Sequence, residues 1–255
     1  MERYGLIGYP LGHSFSRDFF TEKFRQEGID ATYENFEIKE ASQLLDIVRE
    51  TPHLRGLNCT IPHKQAILPL MDELSDEARE IGAVNVIKVL PDGRLRGYNS
   101  DIIGFMDSLR PLLRPHHRKA LILGTGGASQ AIRVGLSRLG LEWTCVSRTP
   151  REGQLTYADL TPSLMLDYTV IVNCSPVGMY PHANESPAIP YEALGPRHLL
   201  YDLVYNPQVT QFLGRGEAQG AQVKNGLEML HLQALASWTF WNEPEKTTQH
   251  TNETL

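Results

Sequence analysis

The stretch Leu121-Ile122-Leu123-Gly124-Thr125-Gly126-Gly127-Ala128-Ser129, LILGTGGAS, decides the fold. It is preceded by the apolar run ALILG (120–124), which reads as a buried strand, and followed by SQAIRVGLSRLG (129–140), which reads as an amphipathic helix. Glycines between a strand and a helix allow a tight turn. They also let backbone N–H groups approach a pyrophosphate at the helix N-terminus, where the dipole and the unpaired donors favour an anion. The copy departs from G-x-G-x-x-G by placing Ser129 last, a residue still small enough for close helix–strand packing. The plain alternative is an ordinary glycine-rich βα turn.

Downstream, WTCVSR (143–148), YTVIVNCS (168–175), HLLYDLVY (198–205) and AQVK (221–224) read as further strands, separated by helices such as TQFLGRGEAQ (210–219). This alternation predicts a parallel sheet with helices on both faces. At the tip of the strand after the glycine turn, where an acid would hold the ribose 2′-hydroxyl of NAD, stands Ser147-Arg148-Thr149-Pro150-Arg151. A guanidinium there can pair with a 2′-phosphate, so NADP is favoured over NAD. A solvated surface role is the alternative for Arg148.

Upstream, RYGLIGY, ATYENFEI and LRGLNCT read as strands and SRDFFTEKFRQEG and EASQLLDIVRE as helices, a βαβαβ unit. Phe19, Phe20 and Phe24 are expected to face inward, as are Leu44, Leu45, Ile47 and Val48. Ser75-Asp76-Glu77 opens a further helix ending near Gly82, and AVNVIKVLPDGRLRGYN reads as a hairpin around Pro91-Asp92-Gly93. The apolar segment NGLEMLHLQALASWTFW, with Leu227, Leu230, Leu232, Leu235 and Trp238 near helical spacing, is expected to dock back on the first unit and help close a cleft. The resulting fold class is α/β in two domains. A substrate domain with a mainly parallel sheet (1–101 plus 226–242) faces a Rossmann-like dinucleotide domain (102–225), with a disordered tail (243–255).

The 255 residues, 41% hydrophobic and 21% charged, suit soluble α/β domains, and a net charge of −6 argues against nucleic-acid or membrane-surface partners. Three widely spaced cysteines, Cys59, Cys145 and Cys174, form no C-x-x-C pair, and nine histidines form no H-E-x-x-H, so neither disulfides nor a metal are expected. Adjacent His116 and His117 read as exposed loop residues in a linker. A reducing cytoplasm and a small-molecule partner are the expected setting, with no membrane span and a monomeric or homodimeric state.

A nicotinamide cofactor needs a group to move the proton that accompanies hydride. In NCTIPHK (58–64), Pro62 reads as the first position of a helix begun at Thr60 or Ile61, which puts Lys64 on the first turn, where the dipole disfavours a cation. Its ammonium could stabilise a developing alkoxide and deliver a proton to it, given a neighbour to orient it. GYNSDIIGF supplies Asp101 at a loop-to-helix junction, a position that equally suits a plain N-terminal helix acid.

The chain resembles the shikimate dehydrogenase family up to about Asn242. The matching segments stand in order: GHSFS (12–16), NCTIPHK (58–64), AVN (83–85), GYNSD (97–101), GTGGAS (124–129), SRT (147–149), NCSPVGM (173–179), YDLVYNP (201–207) and NGLEMLHLQ (225–233). The resemblance implies NADPH-dependent reduction of 3-dehydroshikimate to shikimate, a step toward chorismate and the aromatic amino acids, with Lys64 and Asp101 as the catalytic pair. It also implies that Ser14 and Ser16 hold the substrate carboxylate near Tyr205, and that Asn58, Thr60, Asn85, Asp101 and Gln233 meet the ring hydroxyls. Gly124, Gly126, Gly127, Ala128, Ser147, Arg148, Thr149, Ser175, Met179 and Gly226 are the implied contacts of NADP(H). Arg17, Ser147 and Glu228 depart from the family's usual pattern. A relaxed quinate/shikimate dehydrogenase using either cofactor, a folate-type dehydrogenase of similar build and a dinucleotide-bound sensor without turnover are the competing readings.

Overall fold

The computed structural model describes residues 1–12, 14–149 and 151–244. The N-terminal part runs β1 (Glu2–Gly8), α1 (Phe15–Glu27), β2 (Ala31–Glu37), α2 (Gln43–Glu50), β3 (Leu54–Cys59), β4 (Glu73–Leu74), α3 (Asp76–Ile81), β5 (Val86–Val89) and β6 (Leu95–Tyr98). Local chemistry sets the helix ends. Ser14 caps α1 and Ser75 caps α3 through their hydroxyls, while Gly28 and Gly82 close the two helices at φ of 64° and 69°, where a side chain is disfavoured. The strands assemble in the order β2-β1-β3-β5-β6-β4, in which β5 runs antiparallel to β3 and β6 and the other pairings are parallel.

Next come α4 (Asp101–Leu109), β7 (Lys119–Leu123), α5 (Gly127–Arg138), β8 (Glu142–Ser147), β9 (Leu155–Thr156), α6 (Pro162–Asp167), β10 (Val170–Asn173), β11 (Leu199–Asp202), α7 (Gln211–Glu217), β12 (Gln222–Lys224) and α8 (Leu227–Asn242). The second sheet is parallel throughout, in the order β12-β11-β10-β7-β8-β9. From β7 the chain winds first one way and then the other, so the switch point lies between β7 and β10, where open α/β sheets bind ligands. The two loops leaving it abut: a Cβ on Gly124 would lie 3.3 Å from the Ser175 nitrogen.

Helix α8 returns to the first sheet, packing on α4, β5 and β3. Gly104 lets α4 approach it, since a Cβ there would sit 2.5 Å from the Met229 carbonyl. At its far end Trp241 lies over Gly56, in the space a side chain would need, and its Nε1–H donates to the Ile87 carbonyl at 3.0 Å. An apolar cluster of Ile81, Ala83, Ile102 and Ala131 joins α3, α4 and α5, and Arg138 of α5 pairs with Glu80 of α3 at 2.5 Å.

Several expectations need correction. Lys64 is not on a helix: the chain after β3 is a series of turns ending in a 3-10 turn at Leu68–Leu70. The Lys64 carbonyl accepts from the Val84 N–H at 2.8 Å and so is taken out of any local helical ladder. His117 is buried, with Nδ1 accepting from the Arg114 N–H at 3.0 Å, and burial pushes its pKa down. Leu45, Leu227 and Leu235 are exposed. The buried positions of α8 are Met229, Ala234, Ser237 and Trp241, because packing on α4, β3 and β5 selects the covered face of the helix. Of the tail expected to be disordered, Glu243 is held by the Tyr98 hydroxyl at 2.9 Å, and residues 245–255 lie outside the described residues.

Candidate active site

A cavity of about 290 Å³ opens beside the C-terminal ends of β1 and β3. Ser14, Ser16, Asn58, Thr60, Lys64, Asn85, Tyr205 and Gln233 all line it, brought from α1, β3, the turns after β3, the α3–β5 loop, the loop after β11 and α8. Asp101, the first residue of α4, stands behind Lys64: Lys64 Nζ donates to Asp101 Oδ2 at 2.6 Å, with side chains 17% and 6% exposed. Asp101 Oδ1 accepts from Asn85 Nδ2 at 2.8 Å. Both oxygens of this carboxylate thus face donors, which fixes the Lys64 side chain in direction.

Neighbouring groups hold the Lys64 turn. His63, itself buried, points Nε2 at the Ile38 carbonyl at 2.7 Å, and its N–H reaches the Thr60 carbonyl at 3.0 Å. Cys59 also lines the cavity, but burial pushes its thiol up to about 12, so it stays protonated near neutral pH. Ser14 serves twice, facing the cavity while its hydroxyl accepts from the Arg17 N–H at 3.2 Å, a bond that proline at this position could not make. Phe15 meets the Tyr205 ring edge-on at 6.4 Å between centroids, so the first sheet's helix touches the second sheet's loop at the cavity mouth.

Three residues of this site carry no assignment from sequence. Tyr33 donates to Asn58 Oδ1 at 2.8 Å, Asn58 Nδ2 donates to Ser237 Oγ at 3.0 Å, and the hydroxyls of Ser237 and Ser100 lie 3.3 Å apart. The one signal for Ser237 is its place a helical turn after Gln233, on the same face. Ser100 sits unremarked inside GYNSD.

The glycine turn suits a dinucleotide. No side chain caps α5 at Gly126, and Cβ atoms on Gly126 or Gly127 would meet nothing within 4 Å, so the helix N-terminus opens on free space beside Ala128. At the tip of β8, Ser147 Oγ accepts from the Thr149 N–H at 3.2 Å, a local turn that leaves Arg148 and Thr149 exposed. Across the switch point, Ser175 donates through Oγ to Asn173 Oδ1 at 2.6 Å, and Met179 is 46% exposed. Gly226 is different: it is buried against the Leu203 carbonyl, which accounts for its missing side chain by packing.

Behind this wall lies a buried acid that sequence reading passed over. Asp202 Oδ1 accepts from Asn173 Nδ2 at 2.9 Å and from the Val204 N–H at 3.0 Å, and Oδ2 accepts from the Thr210 hydroxyl at 2.6 Å. It is fully buried, and desolvation raises its pKa to about 6 against these hydrogen bonds. It ties the Ser175 loop to the Tyr205 loop.

A parallel sheet with an open glycine turn at its switch point, facing a polar cavity that ends on a lysine–aspartate pair, defines a two-domain dinucleotide-dependent dehydrogenase. Residues 6–87 match the family model described as shikimate dehydrogenase substrate binding domain. The chain is 38% identical over 248 residues to the NADP(+) shikimate dehydrogenase of Syntrophomonas wolfei, covering 89% of this chain and 85% of that protein. It superposes on the crystal structure of shikimate dehydrogenase from Aquifex aeolicus with a TM-score of 0.84 at 32% identity, covering 96% of this chain and 94% of the other. The shikimate 5-dehydrogenase of Thermus thermophilus in complex with NADP(H) and shikimate gives 0.83 at 31% identity, covering 95% and 94%. The chain belongs to the shikimate dehydrogenase family.

Proposed function

We propose that this protein catalyses the reversible, NADPH-dependent reduction of 3-dehydroshikimate to shikimate, in the sequence leading to chorismate and the aromatic amino acids. The observation that carries the reading is the Lys64–Asp101 pair, 2.6 Å apart at the wall of a cavity otherwise built from short hydroxyl and amide groups. A ring bearing one carboxylate and three hydroxyls needs such a lining. Ser14 and Ser16 meet the carboxylate with Tyr205 beside it, and Asn58, Thr60 and Gln233 meet the hydroxyls. Asn85 faces the same cavity but turns its amide hydrogens to Asp101 and Ser100, so it acts largely through Asp101.

NADP(H) supplies or accepts the hydride. Gly124, Gly126, Gly127 and Ala128 at the α5 N-terminus would hold its pyrophosphate, Ser147, Arg148 and Thr149 its adenosine phosphate, and Ser175 and Met179 its nicotinamide side, with Gly226 keeping α8 close. In reduction, Lys64 stabilises the oxygen that gains negative charge and gives it a proton, while Asp101 keeps the Lys64 side chain aimed at that oxygen. In oxidation the proton returns to Lys64. Residues 1–101 with 226–242 form the substrate domain and 102–225 the dinucleotide domain in this reading, as the membership of the two sheets supports. The partners are small molecules, the setting is the cytoplasm, and the working form is a monomer or homodimer. Among the described residues no helix is long and apolar enough to cross a membrane.

The test is the absorbance of reduced nicotinamide during incubation with shikimate or quinate, each paired with NADP⁺ or NAD⁺. Fast turnover confined to shikimate with NADP⁺ is expected. Comparable turnover of quinate or with NAD⁺ would point to the relaxed dehydrogenase, and no turnover in any pairing would overturn the enzyme reading.

A further inference from the structure

The hydrogen bonds behind the catalytic pair have a direction, because some of their ends are backbone groups that can act only one way. Ser237 Oγ lies 2.8 Å from the Gln233 carbonyl, which can only accept, so the serine proton points there. Its lone pairs then face two donors, Asn58 Nδ2 at 3.0 Å and Ser100 Oγ at 3.3 Å. Ser100 Oγ accepts from Asn85 Nδ2 at 3.1 Å, and its own proton has two acceptors in reach, Ser237 Oγ at 3.3 Å and Asn85 Oδ1 at 3.4 Å. The Ser100 N–H, which can only donate, reaches Asn85 Oδ1 at 2.7 Å, so the Asn85 amide group is turned toward Asp101. Asn58 is oriented in the same way: its Nδ2 also faces the Asn85 carbonyl at 3.4 Å, and its Oδ1 accepts from Tyr33 at 2.8 Å.

One hydroxyl therefore joins two branches, one ending on the substrate-facing Asn58 and the other on the carboxylate that aims Lys64. Ser237 is 1% exposed, and α8 is pinned by Trp241 a turn further on, so the hydroxyl has little room to turn elsewhere. Both hydrogens of Asn58 Nδ2 are used inside the protein, leaving the second lone pair of Oδ1 as its spare polar capacity.

We propose that Ser237 is a positioning residue that joins the two branches of this network, holding Asn58 so that its carbonyl oxygen faces a ring hydroxyl and accepts a hydrogen bond from it, and holding Ser100 against Asn85, whose amide hydrogens reach Asp101. The kinetic part rests on the assignment of the cavity to shikimate. A purely packing role would make Ser237 exchangeable for alanine without effect on either branch.

The test uses the full chain with Ser237→Ala, Ser100→Ala and the double variant, in shikimate oxidation with NADP⁺. Losing one net hydrogen bond corresponds to about a three- to tenfold effect. Ser237→Ala is expected to raise KM for shikimate by that factor through Asn58 and to lower kcat through Ser100, with KM for NADP⁺ within about twofold of the parent. Ser100→Ala should lower kcat with little change in KM for shikimate. In the double variant kcat should fall no further than in Ser100→Ala, because both changes cut the same link. Parent kinetics in Ser237→Ala, additive kcat losses, or a KM for NADP⁺ that rises in step would overturn the proposal.

A second readout needs no substrate, so it separates failure of the network from failure of the shikimate assignment. In protein labelled with ¹⁵N at asparagine, Ser237→Ala should speed hydrogen exchange of the Asn58 and Asn85 side-chain amides and leave the Asn173 side-chain amide unchanged. Unaltered exchange at Asn58 and Asn85 would refute the network even in an enzyme that turned over shikimate. Altered exchange in a protein inert toward shikimate would uphold the network and reject only the substrate.

Discussion

Replacing Asp202 with asparagine should make the protein more stable at alkaline pH, although it removes a charge held by three hydrogen bonds. Burial raises this carboxyl from its ordinary 3.8 to about 6, desolvation outweighing the donors from Thr210, Val204 and Asn173. As pH rises from 3.8, the unfolded chain ionises first while the folded protein keeps the proton. The folded state is therefore favoured fully below 3.8 and loses that advantage as pH rises through 6. The difference between the two values corresponds to about 3 kcal/mol. Asparagine keeps an oxygen for Asn173 and Val204 and places an amide against Thr210, whose hydroxyl can accept as well as donate.

The assay is thermal unfolding of parent and Asp202→Asn from pH 4 to pH 8. The variant should match or fall slightly below the parent at pH 4 and exceed it at pH 8 by up to about 3 kcal/mol, a gain on the order of 6–12 °C in Tm. A difference that stays constant across this range would refute the reasoning. So would a variant that loses ground as pH rises, since the carboxylate would then be stabilised in place by its donors.

Lys64→Ala should lower kcat by about 10²–10⁴-fold with KM for NADP⁺ nearly unchanged; turnover comparable to the parent would remove Lys64 from proton transfer. Arg148→Ala should raise KM for NADP⁺ by about 10- to 100-fold and leave that for NAD⁺ almost untouched, as fits loss of a charge-assisted pair with the 2′-phosphate. Equal effects on both cofactors would exclude that role. Gly56→Ala puts a methyl group where the Trp241 indole lies, so unfolding should show a loss of about 1–3 kcal/mol, with a higher KM for shikimate as α8 shifts with Gln233. An unperturbed variant would show that the indole can move aside at no cost.

The parts of this protein that sequence alone determined are those whose physics is local. A strand, glycine turn and amphipathic helix within residues 120–140 specify a dinucleotide fold, because turn conformation, helix N-terminus and periodicity all depend on near neighbours. Ser75 and Gly82 marked helix ends for the same reason, and Lys64 and Asp101 stood out through the short motifs around them. Tertiary structure decided what depends on distant partners. Lys64 lies on a turn because its carbonyl bonds Val84, and His117 is buried against the Arg197 carbonyl. Ser237 meets Asn58 across 179 positions of chain, and Asp202 became a buried acid only when β10, β11 and the Thr210 segment closed around it. A hydrogen bond and the loss of water around a charge are properties of the assembled neighbourhood, and no window of sequence contains that neighbourhood.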